Sequence, residues 1–152
     1  MRSLLSWLKR PHVATAACIV LLMLLPMALF LPVTVGRYTL LPADNLFAWQ
    51  PFRSAADSFG IRVPHNELLS DLILENYPWK RFIIGSLAQG ELPLWNPYLF
   101  AGVPFLAAGQ HSAMYPFSLL YYVLPLEKAY GWFTVLQLGL AGVFTFILMQ
   151  TL

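Results

Sequence analysis

The chain has 152 residues, 59% of them hydrophobic and only 11% charged, whereas soluble domains carry about twice that charged fraction. A net charge of +2, with no basic stripe interleaved with aromatics, excludes nucleic acid as a partner on ordinary grounds. The single cysteine, Cys18, excludes an intramolecular disulfide framework.

Residues 1–12 hold Arg2, Lys9 and Arg10 and no acid. They precede "VATAACIVLLMLLPMALFLPVTV", residues 13–35, which carries no charge. A spanning helix needs about 20 apolar residues, so this run is long enough, and Pro26 and Pro32 would kink it without preventing insertion. Its apolar core is too long for a cleaved signal peptide, and no clean small-x-small site follows, so a signal anchor is expected. A second run, "GWFTVLQLGLAGVFTFILMQTL" at residues 131–152, has Gln137 and Gln150 as its strongly polar side chains. The basic start places the N-terminus in the cytoplasm and residues 36–130 outside. That outer stretch holds all 7 acids. The expected fold is an α-helical integral membrane protein in which two transmembrane helices flank a long outer loop with short interfacial helices.

The loop is aromatic and proline-rich. "GELPLWNPYLFAGVPF", Gly90 to Phe105, carries Pro93, Pro97 and Pro104 among apolar side chains, with Glu91 as its one charge. Proline this dense blocks a regular helix, because each ring removes an N–H and restricts the residue before it. Such a segment suits a membrane surface or the flank of a larger membrane domain. "FIIGSLA" (Phe82 to Ala88) and "FSLLYYVLP" (Phe117 to Pro125) are too short to span and suit interfacial helices.

The candidate chemistry is carboxylate chemistry. "DNLFAWQPFR" (Asp44 to Arg53) and "DLILENYPWK" (Asp71 to Lys80) share a form: Asp, six residues, Pro, an aromatic and a base. The echo implies two similar carboxylate-bearing turns, or a shared turn without chemistry. In a helix Asp71 and Glu75 share a face. Two such carboxylates could hold a divalent cation, or one could act as a general base. Spacing alone favours the simpler reading, in which Ser70 or Asp71 caps the helix. Lys80 and Arg81 could meet a phosphate, or snorkel at the interface. His111 stands alone and carries little weight. There is no HExxH or CxxC motif for zinc, no Walker A or Rossmann glycine pattern, and no nucleophile elbow.

From Leu68 to the end, the chain resembles bacterial multi-pass membrane proteins of the YfhO type. The marks are Asp71, Tyr77-Pro78-Trp79, "GELPLWNP" (Gly90 to Pro97), "GVPF" (Gly102 to Phe105), Gln110, "YPFSLLY" (Tyr115 to Tyr121) and "LGLAGVFTF" (Leu138 to Phe146). That family is similar to the class C glycosyltransferases. The resemblance implies transfer of a sugar from a polyprenyl-phosphate-linked donor at the outer face of the bacterial cytoplasmic membrane, with membrane lipid and the lipid-linked donor as partners. It implies an essential acid in the first outer loop, acting as base or metal ligand. By position that acid is Asp71, with Glu75 second and Asp44 as rival. On that resemblance the proline-aromatic segment would build the pocket wall as scaffold, or Trp95 and Asn96 could instead touch sugar by stacking and hydrogen bonding. Such enzymes have many spans where two are found here. This chain is therefore expected to be the N-terminal part of a longer protein, inactive without its remaining transmembrane helices. The competing expectations are a non-catalytic two-helix membrane protein whose outer loop binds a partner, and a transporter-like fragment.

Overall fold

A computed structural model describes residues 11–61 and 65–152. The basic cluster Arg2, Lys9 and Arg10, on which the expected orientation rests, lies outside the described residues. The chain divides into two units, Met1–Tyr38 with Gly131–Leu152, and Thr39–Tyr130.

The first unit is helical. Its first long helix runs Pro11–Leu29, and a short helix, Leu31–Thr34, follows. The expectation of one helix to residue 35 is thus corrected by a break at Phe30. Pro32 explains the break, because it has no N–H to donate to the Ala28 carbonyl one turn back, and it sits instead in the first turn of the new helix, where no such bond is needed. Thr34 is buried and its hydroxyl donates to the Phe30 carbonyl at 3.2 Å, which secures the short turn. The other long helix is Leu126–Thr151. It starts at Leu126 rather than Gly131, directly after Pro125, whose ring suits a helix entry. Among the described residues two helices are therefore long and apolar enough to cross a membrane, over His12–Leu29 and Leu126–Thr151.

Small residues set how the two apolar segments of this unit meet. A Cβ at Gly139 would come 2.9 Å from Met23 Sδ, and one at Gly131 would run into Val33. Gln150 Nε2 donates to Thr15 Oγ1 at 3.4 Å. The pairs 15–150, 23–139 and 33–131 run in opposite senses, so the segments are antiparallel. Glycine at such contacts lets apolar helices approach closely. Their outward sides remain apolar, as at Leu21, Leu25, Leu29, Phe144 and Leu148.

The Thr39–Tyr130 unit is built from short elements. Turns of 3-10 helix cover Ala43–Ala48 and Phe52–Phe59. A π-helical stretch, Leu72–Asn76, leads into an α-helix, Tyr77–Ala88. Pro78 explains the widened turn. In a regular helix its ring would strike the carbonyl four residues back and leave it without a donor; the π turn moves that carbonyl aside. The two Asp-to-base segments therefore differ in structure, one a 3-10 turn and the other a π-to-α helix, and the expected pair of similar turns is not formed.

A two-stranded antiparallel ribbon follows, Trp95–Asn96 against Val103–Pro104, with Trp95 opposite Pro104. Phe100, Ala101 and Gly102 at its tip all have positive φ. Short helices at Phe105–Ala108 and Leu119–Val123 complete the unit. Its core gathers Ile73, Ile83, Phe105, Tyr121 and Ala129. Phe82 meets Phe105 edge-on at 5.0 Å, and Tyr130 donates to Asn76 Oδ1 at 2.8 Å. Polar groups join this core. Lys80, Asn45, Asn96, His111 and Ser118 are all buried, and among the described residues no buried side-chain polar atom lacks a hydrogen-bond partner.

Candidate functional site

Pro78, Phe82 and Tyr98 form a wall shared by two clefts. The first, about 580 Å³, is lined on its polar side by Arg81, Ser86, Gln89 and Glu91, with Trp95 beside them. The second, about 520 Å³, takes Glu75, Asn96 and Gln110 among Leu74, Trp79 and Phe100. Both depend on the proline-aromatic segment. Its prolines prevent a helix, its short ribbon supplies one wall, and the Tyr77–Ala88 helix supplies the other.

The ribbon sends Trp95 and Asn96 to different places. Consecutive strand residues point to opposite faces, so Trp95 lines the first cleft and Asn96 the second. The two expected sugar contacts are therefore not side by side. Asn96 is held in place, since its Oδ1 accepts the Tyr98 N–H at 2.9 Å. Gly102 makes room for the indole. With φ of +117°, a Cβ there would stand 2.6 Å from Trp95 Nε1, a geometry and a distance that glycine alone accommodates.

The acids also separate. Asp44 Oδ2 accepts the His65 N–H at 2.6 Å. Beside it the buried Asn45 donates to the Asn66 carbonyl at 3.1 Å. Asp44 thus ties two stretches of chain together. Asp71 is exposed, has helical backbone angles and makes no capping hydrogen bond. The capping role expected of Ser70 or Asp71 belongs to Asn66, whose side chain accepts from Leu68 N–H at 3.1 Å. Glu75, in the π turn, is the acid that lines the second cleft. Among the described residues no group of three or more His, Cys, Asp or Glu could hold a metal ion.

The cation pair splits as well. Arg81 is exposed and lines the first cleft. Lys80 is only 1% exposed. Its Nζ donates to the His111 carbonyl at 2.8 Å, to Ser112 Oγ at 3.1 Å and to Ser118 Oγ at 3.5 Å. It also lies 4.5 Å from the centre of the Tyr121 ring. Lys80 is therefore withdrawn from solvent, whereas Arg81 is open to it. Burial pushes the Lys80 ammonium down to about 8, because removal from water disfavours the charged form. Burial pushes the Tyr121 phenol up for the same reason.

His111 proves structural. Its ring stacks on Phe105 at 4.0 Å, its Nε2 bonds the Phe105 carbonyl at 2.7 Å, and its Nδ1 accepts the Ala113 N–H at 3.0 Å. These partners assign the proton to Nε2. Sequence reasoning missed the polar lining of the first cleft, Ser86, Gln89 and Glu91. Glu91, as the one charge in a greasy segment, was the signal that could have found it. Comparisons with protein-family models, with curated proteins and with solved structures find no match.

Proposed function

We propose that the chain belongs to a membrane glycosyltransferase-like protein and supplies its first outer loop. In this reading both long helices cross the bacterial cytoplasmic membrane, and the Thr39–Tyr130 unit sits on the outer face. There it helps move a sugar from a polyprenyl-phosphate-linked donor to an acceptor hydroxyl.

The observation that carries the reading is the pair of aromatic clefts with separate polar sets. Sugar rings offer C–H faces to aromatic side chains and hydroxyls to amides and carboxylates. The second cleft provides Trp79, Phe100, Asn96, Gln110 and Glu75. The first places Arg81 and Trp95 together, a cation for a phosphate and a ring for a sugar or lipid. In transfer, the acceptor oxygen bonds to the anomeric carbon and gives up its proton to a carboxylate. Polyprenyl phosphate leaves with the electrons of the broken bond. Asp71, which lines neither cleft but stands four residues before Glu75 and makes no capping hydrogen bond, takes the proton, with Glu75 binding the acceptor from within the cleft. The aromatic ribbon tip, with Phe100 92% and Tyr98 82% exposed, lies at headgroup depth, where such rings are favoured.

Titrating polyprenyl-phosphate glucose into nanodiscs that carry the chain tests it, with tryptophan fluorescence as the readout. A saturable change, absent with uncharged polyprenol, is expected. An identical response to both lipids contradicts the reading.

A further inference from the structure

The Lys80 cluster is separate from both clefts and has no part in the proposed transfer. Three features set it apart from an ordinary buried lysine. First, among the described residues no carboxylate neutralises it. Its partners are one carbonyl and two serine hydroxyls, and burial is the sole cause of its perturbation. Second, Ser112 has φ of +52°. That left-handed conformation is costly for a residue with a Cβ and collects at functional sites. Third, Ser112 is half-buried rather than sealed. It opens on a third cleft of about 340 Å³, lined by Leu106, His111, Ala113, Met114 and Tyr115.

We infer that Ser112 and Lys80 form a serine–lysine nucleophile–base pair that takes the acyl group of a carboxylic ester with an apolar chain. Oγ and Nζ stand 3.1 Å apart, within the reach that activation of a serine by an adjacent base requires. Serine–lysine pairs are an established variant of the serine triad. In the ammonium form Nζ donates to Oγ. Loss of one proton reverses that bond, and the Ser112 hydroxyl then donates to a neutral amine. The depressed Lys80 value places the neutral form within reach of neutral pH. Ser118 supports the arrangement. Its hydroxyl donates to the Ser112 carbonyl at 2.7 Å and accepts from Nζ, so it fixes both partners and acts as a positioning residue. The titratable groups facing Nζ are Tyr121, through its ring, and His111, through its carbonyl, while the His111 imidazole is turned to Phe105.

The step balances. Ser112 Oγ bonds to the ester carbonyl carbon while its proton passes to Lys80 Nζ. The carbon–oxygen bond to the alcohol breaks, and the Lys80 ammonium returns the proton to the departing oxygen. Water, losing a proton to Lys80, then cleaves the acyl–Ser112 ester. The products are one alcohol and one carboxylic acid. Leu106, Met114 and Tyr115 give the cleft the apolar lining that an acyl chain needs.

An alkyl fluorophosphonate, which phosphonylates an activated serine and expels fluoride, tests the pair on the chain in nanodiscs. Mass spectrometry locates the adduct without any variant. The expected result is labelling at Ser112, rising in rate as pH passes through about 8 and abolished in Ser112→Ala. Lys80→Arg keeps a cation but cannot accept the proton, so it should slow labelling by at least about 100-fold, the lower bound for general-base assistance. No adduct at Ser112, or labelling of Ser112 no faster than that of the exposed Ser58, overturns the inference. Either outcome leaves Lys80 as a pin for the Gly109–Ser118 segment. A Ser112 adduct whose rate ignores both pH and Lys80→Arg overturns the role of Lys80 as base.

Discussion

Lys80→Ala should destabilise the Thr39–Tyr130 unit by about 2–5 kcal/mol, the range for truncating a buried aliphatic side chain to alanine. The loss has two parts. The aliphatic stem is buried, and its removal leaves a cavity. The ammonium serves three acceptors from the Gly109–Ser118 stretch, and a buried carbonyl left without a donor costs about 1–3 kcal/mol more. Lys80→Met restores the volume without the donor, so its penalty should be the smaller of the two. Thermal unfolding in detergent measures both, with about 4–8 °C expected per kcal/mol for a unit of this size.

The same lysine sets a pH dependence of definite sign. Its folded-state value is depressed to about 8 from 10.5. Between those values the unfolded chain holds the proton more tightly, and stability rises with pH wherever the unfolded state binds more protons. The gain is complete above about 10.5 and gone once pH falls below about 8. Tyr121 works against it at the upper end. Its raised phenol stays neutral in the fold after the unfolded phenol has ionised, which lowers stability above about pH 10. Wild type should therefore gain stability between pH 8 and 10, and Lys80→Met should lose that slope. An unchanged slope in Lys80→Met would assign the dependence to other groups.

Asp71→Asn should reduce sugar transfer in native membranes by about 100-fold or more, the scale of a lost general base, with insertion and expression unchanged. Near-normal transfer would remove Asp71 from the mechanism. Asp44→Asn separates the two rivals. Its carboxylate anchors the His65 N–H, so that substitution should weaken the fold around residues 44–66 and leave the chemistry of intact protein alone. Glu75→Gln should act on acceptor binding, because Glu75 lines the second cleft.

These outcomes separate what was legible in the sequence from what was not. Uncharged runs announced both long helices, because composition over 20 residues is a local property. The break at Phe30 was partly legible in Pro32. The π turn before Pro78 was not, since it arises from how a helix already under way absorbs a proline. "KR" at 80–81 could be read as a matched pair only by ignoring the helix. Neighbours on a helix point about 100° apart, so one could turn inward while the other faced out. Lys80 turned inward, where the Tyr121 ring and the acceptors of the 111–118 stretch meet its ammonium. The division of Trp95 and Asn96 between two clefts follows from a strand that the surrounding prolines concealed. The Lys80–Ser112–Ser118 cluster joins residues more than thirty positions apart, which no local pattern reveals.

The outward placement proposed for the Thr39–Tyr130 unit underlies every role assigned to its clefts in sugar transfer. It can be measured with a Cys18→Ser background that removes the one native thiol, a Ser58→Cys reporter at an exposed position of the unit, and a membrane-impermeant maleimide applied to intact bacterial cells. The account predicts labelling before the cells are permeabilised. Labelling only after permeabilisation would put the unit on the inner side and contradict it.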